Sequence, residues 1–588
     1  MWGFNSEKEK QSPVQDSSSS DHLQPTRSGK SVTGTIRELD ADVLANVNGG
    51  VIAANVDDSN RNLPLAQYTY YAEKQRVFEQ TKDWDGLREL QLKQLADPHS
   101  NLSLEKIESQ RKLRRASSYS VFFLITTDIL GPSNAPYAMS QLGYVAGIIL
   151  YIAFGLFACL GGKLLNMVYL KLDSDNYPVR TFSDLASRIF GPWSRYLIAI
   201  LHFIQLILNV GIICLSSGQA LGQLIGSTDT DPKLCFTIQI LVWALLGMVI
   251  GQIRSLRDFS HIANSAVWMN IAICIITMVG AAKYDPYWHA SNLPPHMPIY
   301  RYAATPDMFD SDGTNLGANS LNNKMQGVDQ MVFAWGGATI FCEVMAEMAN
   351  PREFVPGLVG ADLLIGVVYL FFGIFVYSFQ GQYVYTVANQ GIEDSGLRMA
   401  GNILSLISGM FAAVLYGNIG LKVLYQGFGV PDLKFPKLTT WRGAILWAVL
   451  IVVYWGVAFI IGAAIPQVNA LSSLLGSLCI LNFSYTFPAA FMLGWMMHED
   501  ASALDTYDPE TATVTKKDTW RDKSRWSRAF KSGSQMRKWA KGFLLFMFLG
   551  GLTLCGIGLY GAIESMIEIY GSSSNAGKAF NCSPANYN

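Results

Sequence analysis

From about residue 118 onward, long apolar blocks alternate with short polar connectors, whereas residues 1–117 are dense in Glu, Asp, Lys, Arg and Ser. Most blocks run for about 20 residues or more, enough to cross a ~30 Å hydrocarbon layer at about 1.5 Å of helix rise per residue. The pattern predicts eleven spanning helices, at 118–139, 142–170, 195–225, 236–253, 262–282, 326–348, 357–379, 399–428, 441–464, 468–496 and 541–567. The expected fold class is an all-α polytopic membrane protein.

Basic residues set the expected orientation, because cytoplasmic connectors collect Lys and Arg. Arg111, Lys112, Arg114 and Arg115 precede the first block, and Lys171, Arg180 and Arg188 follow the second. The connector between blocks ten and eleven is the most basic, from Lys516 and Lys517 to Arg537 and Lys538. The alternate connectors are poor in such residues. The N-terminus is therefore expected in the cytosol and, with an odd span count, the C-terminus outside it.

Composition sharpens this picture. Half of the 588 residues are hydrophobic and 15% are charged, against ~25% charged in soluble domains. A net charge of −1 argues against a nucleic-acid partner and leaves the lipid bilayer as the expected surroundings. The opening residues MWGFNSEKEK lack the apolar core of a cleavable signal. Residues 1–62 cannot bury a core and are expected to be a disordered cytosolic tail. Helical spacing over 63–115 predicts short cytosolic helices, 116–567 the membrane domain, and 568–588 an extracytosolic tail.

Six of the eight cysteines fall inside apolar blocks, where a thiol packs as a small hydrophobe. Cys235 and Cys582 lie outside them, both on the expected extracytosolic side. They are either a disulfide tying the tail to the connector before block four, or two unrelated thiols. No Cys/His cluster points to a metal, and no cofactor is expected. In the basic connector, WRDKSRWSRAFKSGSQMRKW mixes Trp, Phe and cations. It reads equally as a helix lying on an anionic leaflet or as a solvated loop obeying the positive-inside rule.

The first block breaks its own pattern. Within FLITTDILGPSNAPYAM, residues 123–139, stand Asp128, Gly131, Pro132, Ser133, Asn134 and Pro136. Each proline removes a backbone donor and clashes with the carbonyl four residues earlier. Hydrocarbon offers no replacement partner, so a helix unwinds at that depth only where it lines a cavity or packs against protein. Block six, with VDQMVFAWGGATIFCEVMAEM at 328–348, carries Gly336-Gly337 at its centre. It lies five spans after the first, and an odd offset reverses the direction of crossing. Blocks 1–5 and 6–10 therefore read as two halves of inverted topology, each led by an interrupted helix, with one extra C-terminal helix. Paired breaks of this kind point to a transporter site at the midplane. Exposed N–H groups at one half-helix terminus suit a carboxylate, and exposed C=O groups at another suit an ammonium. An α-amino acid carries both.

At this point TTDILGPSNAPYAMSQLGYVAG and FAWGGATIFCEVMAEMANPREF resemble the amino acid/auxin permease family, in particular its fungal amino acid permeases, over roughly 116–567. Gly131 and Pro136 match the family's G-x-G-x-L-x-x-P run, while Ile129 and Ser133 replace its first Gly and its Leu. Phe333, Trp335, Gly336, Glu343, Glu347 and Pro351-Arg352 fall where the sixth-span pattern places them. The resemblance implies the five-plus-five inverted repeat shared with the sodium/neurotransmitter symporters, and ion- or proton-coupled amino acid transport.

The expected substrate site combines Leu130, Gly131, Pro132, Ser133 and Asn134 of the first break with Phe333, Ala334, Trp335, Gly336 and Gly337 of the second, and Asn209 of span three. Asn209 belongs to a polar stripe with Gln205, Ser216, Gln219 and Gln223 that either lines the site or bonds neighbouring helices. Asn418 of span eight is expected near the first break. Asp128 is expected to carry a coupling proton, or else to be fixed by local donors. Glu343 and Glu347 are expected to gate the inner path with Arg352, or to pair at the interface. Lone His202 reads as a packing residue. A proton is the expected coupling ion, with Na⁺ as the alternative, and the plasma or vacuolar membrane the expected location. An amino-acid receptor using the same cavity is the competing reading. An enzyme is disfavoured because no intramembrane nucleophile–base pair is visible, and a channel because no selectivity filter is.

Overall fold

The computed structural model describes residues 63–80, 118–129, 131–174, 176–226, 233–253, 257–287, 321–348, 350–425, 440–509 and 513–571, with isolated positions at 299, 433, 435–436, 511, 579–580 and 582. All of them fall in one compact unit, residues 57–588.

Sixteen α-helices are described. They are α1 (Leu65–Gln80), α2 (Ser118–Ile129), α3 (Ala135–Leu172), α4 (Phe182–Phe190), α5 (Pro192–Leu224), α6 (Phe236–Ile250), α7 (Arg257–Lys283), α8 (Leu321–Ala334) and α9 (Phe341–Glu347). They continue as α10 (Phe354–Gln380), α11 (Ser395–Leu424), α12 (Trp441–Ala464), α13 (Val468–Leu475), α14 (Phe487–Ala501), α15 (Lys523–Lys531) and α16 (Gln535–Gly571). By length and composition, eight helical stretches among the described residues can cross a membrane, and α6 is a shorter apolar helix. The protein is a multi-pass, mostly helical membrane protein.

Its surface carries the signature of lipid contact. Val145, Leu156, Leu363 and Phe546 are 68–75% exposed on these helices, where a water-soluble domain would place polar side chains. Polar residues turn inward instead, with Gln330, Asn402 and Ser472 fully buried. α3 packs between α8 and α10, and α5 packs against α11 and α12.

Local chemistry sets several boundaries. Gly143, at φ 74° and ψ 176°, interrupts α3 and separates its first two turns from the rest. Only glycine adopts that conformation without strain. Thr181 and Asp184 form a reciprocal capping box that starts α4, and Asp394 caps α11 through the amide of Leu397. Several helices exceed their apolar blocks: α7 begins at Arg257, α11 at Ser395 and α16 at Gln535. Hydropathy marks only the hydrocarbon-embedded part, and charged first turns extend beyond it.

Two departures from the sequence reading stand out. Between α13 and α14 the chain takes two π-helical turns, Gly476–Ile480 and Asn482–Thr486. The connector 502–534 is folded: Thr506–Asp508 and Thr513–Thr515 pair as an antiparallel hairpin, followed by α15. The fold is thus not purely helical. Arg525 holds this connector together through Asp505 at 2.8 Å and Asp518 at 3.2 Å.

Candidate functional site

The first interruption is where the proline and glycine chemistry places it. α2 stops at Ile129, a single 3₁₀ turn covers Pro132–Asn134, and α3 resumes at Ala135. Pro136 sits in the first turn of α3, where its missing N–H costs nothing. Gly131 is exposed, with no atom within 4 Å of where a Cβ would stand. Its N–H donates to the hydroxyl of buried Tyr369 at 3.0 Å. Ser133 and Asn134 are half-buried. Leu130, and the side chains of Asp128 and Pro132, lie outside the described residues.

The second interruption follows α8. Trp335 and Gly336 leave the helix, a 3₁₀ turn covers Gly337–Ile340, and α9 begins at Phe341. Ala334 and Gly337 are buried and Phe333 is half-buried. The Trp335 indole packs against α3 and α10. It lies 6.4 Å from the Tyr151 ring and 6.2 Å from the Tyr369 ring, and a Cβ on Gly155 would stand 2.6 Å from it. Trp335 therefore anchors the break by packing. Its carbonyl accepts from Ser484 Oγ at 3.4 Å, so the second π-helical turn braces the same break.

A buried polar network joins the two interruptions. Asn134 Nδ2 donates to Gln330 Oε1 at 2.9 Å. Gln330 Nε2 faces Ser472 Oγ at 2.6 Å and Asn469 Oδ1 at 2.9 Å. Asn469 Nδ2 donates to Gln326 Oε1 at 2.6 Å and to Tyr137 Oη at 2.9 Å. The breaks in α2–α3 and α8–α9 are thereby held to each other and to α13. Helix ends left open in this way present N–H and C=O groups with no partner inside the helix, and their dipoles act on a ligand of either charge.

The polar stripe of α5 divides. Gln205 Nε2 donates to Thr339 Oγ1 beside the second break at 3.4 Å. Farther along, Gln223 accepts from Asn402 at 2.7 Å and Gln390 donates to Ser216 O at 3.1 Å, which are interhelical ties. Asn209 lies between these groups, half-buried. Asn418 donates to Ile253 O at 2.8 Å, just beyond the end of α6, rather than to any group of the first break. His202 is buried against Phe483, with ring centroids 5.4 Å apart.

Among the acids, Glu343 of α9 has both carboxylate oxygens buried without a hydrogen-bond partner, while Glu347 is exposed. Arg352 donates to Arg76 O of α1 at 3.4 Å. Asp329 and Asp362 are further buried acids, each with one unpartnered oxygen. Cys235 and Cys582 are disulfide-bonded, with Cα atoms 4.2 Å apart. Among the described residues no group of three His, Cys, Asp or Glu side chains is arranged to hold a metal. An apolar groove lined by Leu221, Trp243, Leu406 and Met410 offers no polar partner for a zwitterion.

Sequence reasoning missed Gln330, Asn469 and Tyr369. Gln326 and Gln330 stand one helical turn apart, with Asp329 beside them, a signal of an inward polar edge. Tyr369, in an apolar run of span seven, gives no such signal.

Comparison with known proteins accords with this geometry. A family model described as transmembrane amino acid transporter protein matches residues 114–515, more than half of the chain. The match ends in the folded connector, so α16 lies beyond it. An N amino acid transport system protein of Neurospora crassa is 22% identical over 474 residues, 79% of this chain and 87% of the relative. Transmembrane transporters of Gibberella moniliformis and Fusarium pseudograminearum are 23% and 21% identical, each spanning 76% of this chain and 82% of the relative. With this match spanning both interrupted helices, the chain belongs to the transmembrane amino acid transporter protein family.

Proposed function

We propose that the protein is a secondary active transporter that carries a neutral amino acid, as its zwitterion, together with a proton by alternating access. The observation that carries this reading is the joining of two interrupted helices through Asn134 and Gln330 at 2.9 Å. Family membership supports an amino acid as the solute, and the name of the Neurospora relative points the same way.

In this reading α2 and the first turns of α3 form one span, kinked off at Gly143, and α8 with α9 forms another. Counting them with the remaining helices gives eleven spans, the first ten as a five-plus-five inverted repeat. The amides following Gly131 receive the substrate carboxylate, and the carbonyls before Gly336 receive its ammonium. Phe333 and Asn209 line the rest of the pocket. Asp128 carries the proton, and Glu343 with Glu347 shapes the inner path. With the N-terminus cytosolic, the Gln330–Asn469 network lies in the extracytosolic half and closes that side. The expected setting is the plasma or vacuolar membrane.

The test uses the purified full chain in proteoliposomes. An inward pH gradient should concentrate a labelled neutral amino acid, a protonophore should abolish the accumulation, and replacing Na⁺ by choline should leave it unchanged. Asp128→Asn should retain exchange and lose gradient-driven accumulation. Accumulation driven by Na⁺ and indifferent to pH would overturn proton coupling. Saturable binding with no flux in either direction would overturn transport and favour a receptor.

A further inference from the structure

The connector between α14 and α16 sorts its charges in a way that a solvated loop does not need. Arg525 pairs with Asp505 and Asp518, and Arg528 with Asp518 at 2.6 Å. Arg537 pairs with Glu499 and Asp500, and Lys541 with Asp500. These pairs engage Glu499, Asp500, Asp505 and Asp518, while Asp522 accepts from the Thr519 amide at 2.8 Å. Lys516, Lys517, Arg521, Lys523, Lys531 and Lys538 are all exposed and make no ion pair among the described residues.

Aromatic side chains are exposed among these cations. α15 buries Arg525 and Ala529 on one face. The neighbouring face presents Trp526 and Phe530, each nearly half exposed, with rings stacked at 6.2 Å and 18°. Lys523 and Lys531 flank them. The first turns of α16 add Met536 and Trp539, 83% and 75% exposed, with Lys538 between them. Bare aromatic surface beside unpaired ammonium groups is poorly placed in bulk water and well placed among phospholipid headgroups. There the rings reach the acyl boundary and the ammonium groups meet phosphates.

The position of α15 fits that surrounding. Buried Lys541 donates to Ala529 O at 2.5 Å, which holds α15 level with residue 541. The apolar run of α16 begins at the next residues, Gly542, Phe543 and Leu544. α15 therefore lies within about one helical turn of the hydrocarbon edge.

We infer that α15 and the first turns of α16 form a docking face for anionic phospholipid headgroups, with Trp526 and Phe530 inserted and the unpaired lysines on phosphate. This face lies on the expected cytosolic side, the leaflet that carries anionic lipid. The inference does not depend on the transported solute.

The full chain carrying a nitroxide at Ser527→Cys, an exposed position beside Trp526, tests it. The signal is corrected for native cysteines by labelling the wild-type chain. In nanodiscs of phosphatidylcholine with 30% phosphatidylserine as the chosen probe composition (about one anionic lipid in three), collision with a water-soluble nickel chelate should fall about fivefold or more relative to pure phosphatidylcholine. Raising salt to about 1 M, where the screening length is ~3 Å, should reverse most of the change. Lys523→Glu, Lys531→Glu and Lys538→Glu combined should abolish it. Equal accessibility in the two lipid compositions overturns the inference, as does protection that neither salt nor charge reversal alters. The lipid and salt comparisons use unreversed protein, so a variant that fails to fold does not decide the outcome.

Discussion

Asn134 and Gln330, 196 positions apart in sequence, meet at 2.9 Å and so connect the interruption of one helix to the strand of polar contacts entering the other. Asn134 closes the 3₁₀ turn of the first break, and Gln330 stands one turn before the end of α8. Gln330 Nε2 has two hydrogens but four acceptors within reach, on Asn469, Ser472 and Ser473. Such sharing fixes its orientation and leaves few alternatives for the groups around it.

Gln330→Leu should therefore remove the acceptor of Asn134 Nδ2 and the donor to Asn469 Oδ1. Each unsatisfied group costs about 1–3 kcal/mol. Thermal unfolding of the detergent-purified variant should move to lower temperature, and the closed arrangement should lose about 2 kcal/mol, roughly thirtyfold in its population ratio. Uptake and thermal stability measured on one preparation check this. Unchanged values in both would show that the network does not hold the breaks together.

The hydroxyl of Tyr369 accepts from the amide of Gly131 at 3.0 Å. If that amide belongs to the carboxylate site, the hydroxyl competes with substrate. Tyr369→Phe is then expected to destabilise the free protein by about 1 kcal/mol and to lower the KM for uptake by up to about fivefold. A raised KM would instead identify Tyr369 as a direct substrate contact.

The two interruptions were legible in sequence because their causes are local. Gly131, Pro132 and Pro136 forbid a continuous helix whatever surrounds them, and Trp335-Gly336-Gly337 places backbone freedom at mid-span. The partners of those breaks were not legible, because they are set by tertiary contact. Asn469 lies 139 positions from Gln330, and nothing in IPQVNALSS states which helix its polar edge meets. The π-helical turns in α13–α14 arise the same way. A Cβ on Gly476 would stand 2.6 Å from the Asp329 carbonyl, so the chain there follows the neighbouring helix closely. Trp335 shows the same limit. Its identity marked the break, but its direction was decided by the small residue Gly155 on α3. The hairpin at 506–515 follows from alternating Thr, Tyr and Val around Pro509, a short-range signal overshadowed by the charge of its surroundings.

The folded connector carries a pH dependence of definite sign. Arg528 donates to both oxygens of Asp518 at 2.6 and 2.7 Å, and with Ser524 and Arg525 holds that carboxyl below its ordinary range. A carboxyl whose folded-state pKa is depressed contributes fully above its unfolded value, about 3.9, and loses that contribution as pH falls through the folded value. The connector should be insensitive to pH between about 7 and 5 on this account and loosen below about 4. Indole emission reports it, since Trp520 and Trp526 pack 5.1 Å apart in this connector. Asp518→Asn should be less stable at neutral pH and lose the acid limb. An unchanged acid limb would assign it to other carboxyls.

α1 reaches both the turn after α3 and the turn after α9. Arg76 donates to the carbonyl of Asp173 at 3.0 Å and pairs with its carboxylate at 3.3 Å, where the Asp173 side chain is fully buried. Gln67 donates to Tyr177 Oη at 2.7 Å, and the Arg188 guanidinium lies 4.5 Å from the Tyr68 ring. From the same helix, Arg76 O accepts from Arg352 in the turn Pro351–Glu353. Movement of α9 relative to α3 therefore strains α1. Arg76→Ala takes the guanidinium away from the buried Asp173 carboxylate, and removing one partner of a buried pair costs about 3 kcal/mol. Faster amide exchange across 65–80 is expected, with exchange in the spanning helices unaltered. Where α1 restrains the inner opening, the variant should also turn over faster at saturating substrate. Slower turnover with the same exchange pattern would make α1 a structural brace that the inner opening requires.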